Sequence, residues 1–277
     1  MDADINLAEG DAVSGPSQGK SVIDTSVPHP ARRYNYWLGG KDNFAADRES
    51  ADEIERKFPG MRAGVVANRA FLQRATRYLT QEAGIRQFLD IGTGLPTANN
   101  THEVAQQMAP KCRIVYVDND PMVLAHARAL LTSSPEGAAD YIDADVRDTD
   151  KILQEAARTL DLAQPVALMM LGILGNVADY EEARSIVKRL LDGVPSGSYL
   201  VVNDGTNTSQ EIVEGARVSG EGGHPYTLRS PKEIAGFFDG LDLQEPGVVS
   251  TPRWRPEPSP SGLPAELDGY CGVARKP

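Results

Sequence analysis

The chain has 277 residues, enough to bury one large core or a core with a small appendage. A hydrophobic fraction of 40% and a charged fraction of 24% suit a water-soluble globular protein, and no apolar run approaches the roughly 20 residues of a membrane helix. The net charge of −11 argues against nucleic acid as a partner, and two cysteines, Cys112 and Cys271, are too few for a disulfide framework and suit buried thiols in a reducing cytoplasm.

Residues 1–25 are acidic, rich in Gly, Ser and Asp, and without period, which predicts a disordered tail. They lack the basic start and apolar middle of a secretory signal. Three helices are expected over 26–85, forming an N-terminal cap or lid. The first opens at Pro30 and ends at Gly39-Gly40. Tyr34, Trp37 and Leu38 share one of its faces by their spacing. The second covers Asp47 to Phe58 and stops at Pro59-Gly60; the third covers Arg62 to Gln81. Arg32, Arg33 and Lys41 read here as solvated charge.

An α/β core is expected over 86–277: a Rossmann-like, doubly wound, seven-stranded and mostly parallel sheet. Strands are predicted at Gln87–Ile91, Ile114–Val117, Asp140–Ile142, Val166–Leu171, Tyr199–Asn203, Gly247–Ser250 and Gly269–Ala274. Helices are predicted at Asn100–Met108, Pro121–Leu131, Thr149–Leu160, Tyr180–Leu191 and Lys232–Phe238, with Asp120 as the cap of the second. Residues 206–230 read as a Gly-rich loop insertion with a helical piece.

The chemistry gathers at strand tips. The first strand ends in Asp90 and runs into Gly92-Thr93-Gly94; the second ends in Asp118-Asn119; the third runs into Asp145-Val146. An acid, a glycine turn and a second acid one βα unit later build a nucleoside pocket in a parallel sheet. Pro96 stands where a dinucleotide fingerprint wants its third glycine, and no phosphate-cradling Gly-x-x-x-x-Gly-Lys-Ser/Thr loop exists. A carboxylate at Asp90 repels a pyrophosphate and attracts an ammonium or a sulfonium. This set favours S-adenosylmethionine over NAD: Asp90, Gly92 and Gly94 toward the methionine part, Asp118 at the ribose, Asp145 and Val146 at the adenine, with Thr93 and Asn119 as further cofactor-binding candidates.

Asp90-Ile-Gly-Thr-Gly resembles the first motif of class I S-adenosylmethionine-dependent methyltransferases. Segments Pro30 to Arg48, Tyr116 to Pro121 and Leu171 to Asn176 resemble an actinobacterial S-adenosyl methyltransferase family once catalogued as a domain of unknown function. The resemblance implies methyl transfer from S-adenosylmethionine to an unidentified small-molecule acceptor; the lack of a long apolar run predicts no membrane partner. Leu95-Pro96-Thr97 departs from the wider superfamily, and no acid or aromatic residue follows strand four. A non-catalytic cofactor sensor and an NAD-dependent oxidoreductase stand as alternatives. Tyr36 is a candidate lid over the sulfonium, where an aromatic face gains from cation–π attraction. Tyr36, His224 and Asp204 are the candidate bases, and the four histidines show no metal-ligand spacing.

Overall fold

The computed structural model describes residues 24–97, 99–130 and 132–277, without the side chains of 128–130. The tail expected over 1–25 lies, but for its last two residues, outside the described residues. Eight strands form one sheet: β1 (Gln87–Ile91), β2 (Arg113–Asp118), β3 (Ala138–Asp143), β4 (Ala167–Leu171), β5 (Tyr199–Gly205), β6 (Asp242–Leu243), β7 (Val249–Ser250) and β8 (Gly269–Arg275). Their order is β3-β2-β1-β4-β5-β8-β6, with β7 beside β8. β1 to β5 are parallel; β8 runs antiparallel to β5, β6 and β7. The sheet is thus mixed α/β and mostly parallel, as expected. The eighth strand is the two-residue β6, too short for any period to announce it.

The helices are α1 (Pro30–Trp37), α2 (Ala45–Lys57), α3 (Met61–Gln81), α4 (Thr101–Met108), α5 (Pro121–Leu130), α6 (Thr149–Ala156), α7 (Tyr180–Asp192), α8 (Gln210–Glu221) and α9 (Pro231–Gly236). Side chains alternate between the two sheet faces. Leu89, Val115, Leu168 and Leu200 pack with Ile152 of α6 and Ile186 of α7 on one face. Phe88, Ile114, Met169 and Val201 pack with Phe71, Ala75 and Leu79 of α3 on the other. The third helix expected in the cap is therefore a core layer of the sheet. Its apolar stripe at 3 and 4 spacing is long enough to lie along the strands. The helical piece expected within the 206–230 insertion is α8, which spans twelve residues from a Ser209 cap and packs against α2.

Beside α8, α1 and α2 lie over the carboxyl edge of the strands. One buried carboxylate holds them. Asp47 is fully buried; its Oδ1 accepts the His29 N–H at 2.8 Å and Arg32 Nε–H at 3.0 Å, and its Oδ2 accepts the Phe44 N–H at 2.8 Å. The reading of Arg32 and Arg33 as solvated charge fails here, since both are buried. An arginine on the inner face of a helix is read as surface only until something covers that face. The His29 imidazole lies 2.8 Å from Asp120, past β2, and Ala31 and Phe44 pack on Leu95, Met122 and Val123. Among the described residues, no helix is long and apolar enough to cross a membrane.

Removing one partner of a buried, hydrogen-bonded ion pair leaves the other charge uncompensated. Asp47→Ala is expected to lower the unfolding free energy by about 3–5 kcal/mol, read by urea denaturation. A loss within experimental error would show that the pair does not hold the cap.

Candidate functional site

In open parallel sheets, ligands bind outside the carboxyl ends of the strands. A shallow depression of about 510 Å³ lies at the opposite, amino edge, beside Gln87, Arg113 and Tyr199. A cavity of about 260 Å³ lies at the carboxyl edge, between the cap and the ends of β4, β5 and β8. The strand-tip acids line the same edge.

Asp90 shares the α3/α4 face with Phe88 and pairs in register with Tyr116. It is buried, and its Oδ2 accepts the Thr101 hydroxyl at 2.6 Å. Burial pushes its carboxyl up to about 6; the Thr101 hydrogen bond and the Arg69 charge oppose this, and Asp118 adds to it. Gly92 and Gly94 have φ of 75° and 65°, the left-handed region that favours glycine. A Cβ on Gly92 would come within 2.6 Å of the Ile173 side chain, whereas the space beside Gly94 is open. The turn thus needs glycine twice, once for packing and once beside empty space.

The Asp118 carboxylate closes this turn: Oδ2 accepts the Gly94 N–H at 2.9 Å and Oδ1 accepts the Asp120 N–H at 3.0 Å. Burial raises its pKa, opposed by those backbone N–H groups. A carboxylate offers about four acceptor positions, so capacity for two hydroxyls remains. Asp120 also accepts the Met122 N–H at 2.7 Å, the cap expected for α5. Asn119 reaches Asp145 at 3.3 Å, and Arg147 holds the same carboxylate at 3.2 Å. The Val146 side chain is buried in the core, so only its backbone is left for a ligand edge. The Thr93 position between the two glycines is half-buried.

The group suits a nucleoside with a cationic tail. Its acceptors are carboxylates, and the Thr97 and Tyr141 hydroxyls are buried without hydrogen-bond partners. Burial, then the Asp118 and Asp90 charges, push the Tyr141 phenol far up, so it remains a neutral donor. Tyr141 lies on β3 opposite Tyr116, and sequence reasoning missed it because its strand position alone marked it as core.

The three candidate bases separate. The Tyr36 hydroxyl donates to Asp52 at 3.0 Å, and its ring lies 5.5 Å from the Arg62 guanidinium. Tyr36 does not line the cavity; Tyr34 and Trp37 do. As a cofactor lid Tyr36 is therefore corrected: helical periodicity turns it toward α2, and Ala31 and Phe44 cover the glycine turn instead. The Gly39–Asn43 turn is tied to α1 itself, with Asn35 Oδ1 accepting the Asp42 N–H at 3.0 Å. His224 lies outside the cavity lining too; its Nε2 lies 2.8 Å from the Pro28 carbonyl and its ring meets His29 edge-on at 5.6 Å. Asp204 alone lines the cavity.

Asp204 is the last residue but one of β5, in step with Leu200 and Val202, and is buried. Its Oδ1 accepts the Tyr226 hydroxyl. Its Oδ2 has no well-formed hydrogen bond, although N–H groups of Gly175, Gly205 and Leu174 lie near enough to act on it. Burial raises its carboxyl to about 7, against the Arg229 charge and those N–H groups. The glycines after β4 now divide by role. A Cβ on Gly175 would strike the Tyr226 ring at 2.3 Å, so that glycine admits the ring. Gly172 has φ 78°, lines the cavity and faces Asn68.

The sequence model of a family described as S-adenosyl methyltransferase matches residues 16–277. A DUF574 family protein from Streptomyces avermitilis is 45% identical, with TM-score 0.88 over 92% of this chain and 100% of that one. A candidate methyltransferase from Thermobifida fusca is 43% identical, with TM-score 0.84 over 91% and 96%. An S-adenosylmethionine-dependent methyltransferase from Anabaena variabilis shares the fold at 11% identity and TM-score 0.50, over 74% of this chain and 84% of that one. No curated protein matches the chain. Glycine turn, strand order and family match agree: the chain belongs to the S-adenosyl methyltransferase family, whose cofactor is S-adenosylmethionine.

Proposed function

We infer that the protein methylates a small molecule held in the cavity beneath α1 and α2. The observation that carries this is a shared wall. The glycine turn after β1 meets the turn after β4, because the space a Gly92 side chain would need is filled by Ile173. Gly172, the residue before Ile173, lines the cavity. A nucleoside at the first turn and a molecule in the cavity would be neighbours. At about 260 Å³ the cavity is close to the lower end of the roughly 300–1,000 Å³ typical of small-molecule sites, which argues against a macromolecular acceptor entering it.

For the cofactor, Asp118 and Asn119 would hold the ribose, Asp145 and the Val146 backbone the adenine edge, and Asp90, Gly92, Thr93 and Gly94 the methionine part. When bound, the cofactor supplies a methyl carbon on a positively charged sulfur. This chain's own residues then bind, orient and keep water out; the cover comes from Ala31 and Phe44 on Leu95.

Calorimetric titration tests the assignment: S-adenosylmethionine is expected to bind and NAD is not, and tighter binding of NAD would overturn it. Asp118→Asn keeps an acceptor but removes a charge-assisted hydrogen bond. It should weaken S-adenosylmethionine binding by about 1.5–3 kcal/mol, roughly 10- to 100-fold.

A second expectation concerns pH. Only the ionised Asp90 attracts a cationic tail. Because its pKa is raised to about 6, affinity should climb as pH rises through that value. Arg69, Asp118, Tyr116 and Tyr141 are the other titratable groups around it, and the two tyrosines stay neutral. Between pH 5 and 7.5 the gain should be about ten-fold and should vanish in Asp90→Asn. A flat profile in the unaltered protein would remove Asp90 from cofactor recognition.

A further inference from the structure

Arg33 and Asp204 face the same cavity from opposite walls, one on α1 and one at the end of β5. Both are at least nine-tenths buried. Among the described residues, neither has an oppositely charged side chain within 4.0 Å. Arg33 gives its Nη groups to neutral hydroxyls, Ser50 at 3.1 Å and Ser219 at 3.0 Å, and its Nε has no hydrogen-bond partner. Burial pulls its pKa down to about 10, partly offset by Asp47. Trp37 lines the same cavity, and its indole N–H is also without a partner. Buried charges are ordinarily paired, and unpaired ones are costly. Asp47 acts on Arg33 and Arg229 on Asp204 only from beyond ion-pair distance, so each keeps bonding capacity that one ligand in the shared cavity can fill.

Resting on the methyltransferase reading above, we propose that the acceptor is a hydroxylated aromatic carboxylic acid, its carboxylate held by Arg33 and the Trp37 N–H and its hydroxyl proton taken by Asp204. The walls between those two ends are apolar and partly aromatic, among them Tyr34, Phe58, Ile212 and Leu228, which suits a flat ring. Arg33 rather than a lysine also fits, since guanidinium can offer a carboxylate two donors in one plane. An amine acceptor fits less well. It would reach Asp204 as an ammonium, whose nitrogen has no lone pair to alkylate.

In the transfer the acceptor oxygen forms a bond to the methyl carbon, the carbon–sulfur bond breaks with its electron pair staying on sulfur, and the hydroxyl proton passes to Asp204. Asp204 must be ionised for this. The groups that face it are Tyr226, which donates to it, and Arg229; Arg33 and Asp268 stand elsewhere on the cavity wall. Its carboxyl is raised to about 7, so the carboxylate form, and the rate, increase as pH rises through that value.

The test uses the full chain loaded with S-adenosylhomocysteine, titrated calorimetrically with para-hydroxybenzoate, para-hydroxycinnamate and the methyl ester of each. Both acids should bind at least ten-fold more tightly than their esters. Arg33→Gln should bring that ratio near one while S-adenosylhomocysteine still binds. Asp204→Asn should keep acid binding but abolish the rise of kcat with pH. The acid–ester comparison on the unaltered chain needs no variant, so it stands even if Arg33→Gln fails to fold. Equal binding of acids and esters, no binding of any of the four, or a preference that survives Arg33→Gln overturns the proposal alone. Failure of the unaltered chain to bind S-adenosylhomocysteine overturns the nucleoside reading and this proposal with it.

Discussion

The buried Asp47 carboxylate is the contact on which the carboxyl edge of this protein depends. It gathers a backbone N–H from before α1, a guanidinium within α1 and a backbone N–H at the start of α2. With those three donors on one fully buried group, the relative placement of the two helices is set. That placement brings Arg33, Tyr34 and Trp37 over the ends of β4 and β5, and Ala31 and Phe44 over the glycine turn. A parallel sheet without such a cover would leave its carboxyl edge open to water. Electrostatic recognition there would be weaker for the same charges.

The two sites differ in how their acids are treated. Asp118 is held by backbone N–H groups and sits where hydroxyls can still reach it, which suits a binding group that stays in place. Asp204 is held by one phenol and otherwise lacks well-formed hydrogen bonds, and its pKa rises into the range where a proton can be exchanged. Burial acts in the same direction on both.

The ends of β4 and β5 also explain an apparent gap. The chain has no acid or aromatic residue directly after β4, where one was sought. Instead Gly175 gives up its side-chain space, and Tyr226, some fifty positions along the chain, fills it and reaches Asp204. The missing aromatic ring is supplied from the segment after α8, and the missing acid from the neighbouring strand. Spacing in one segment cannot reveal such an exchange, because it is a contact between segments far apart in the chain.

Local rules accounted for much of the architecture. Short apolar runs marked five parallel strands and β8, and Pro and Gly marked the ends of α1 and α2, because backbone conformational preference acts within a few residues. The glycine turn and the acids Asp90, Asp118 and Asp145 were legible for the same reason: each is a residue type demanded at a strand tip. The sequence by itself therefore determined a nucleoside-binding α/β sheet of methyltransferase type. Only the tertiary structure decided which face each arginine and aromatic residue of α1 presents to a covered space. It turned Tyr36 outward, buried Arg33, enlisted α3 in the core and left Asp204 facing Arg33 across one cavity. Burial of a charge is a property of everything packed around it, and no window of the chain contains that information.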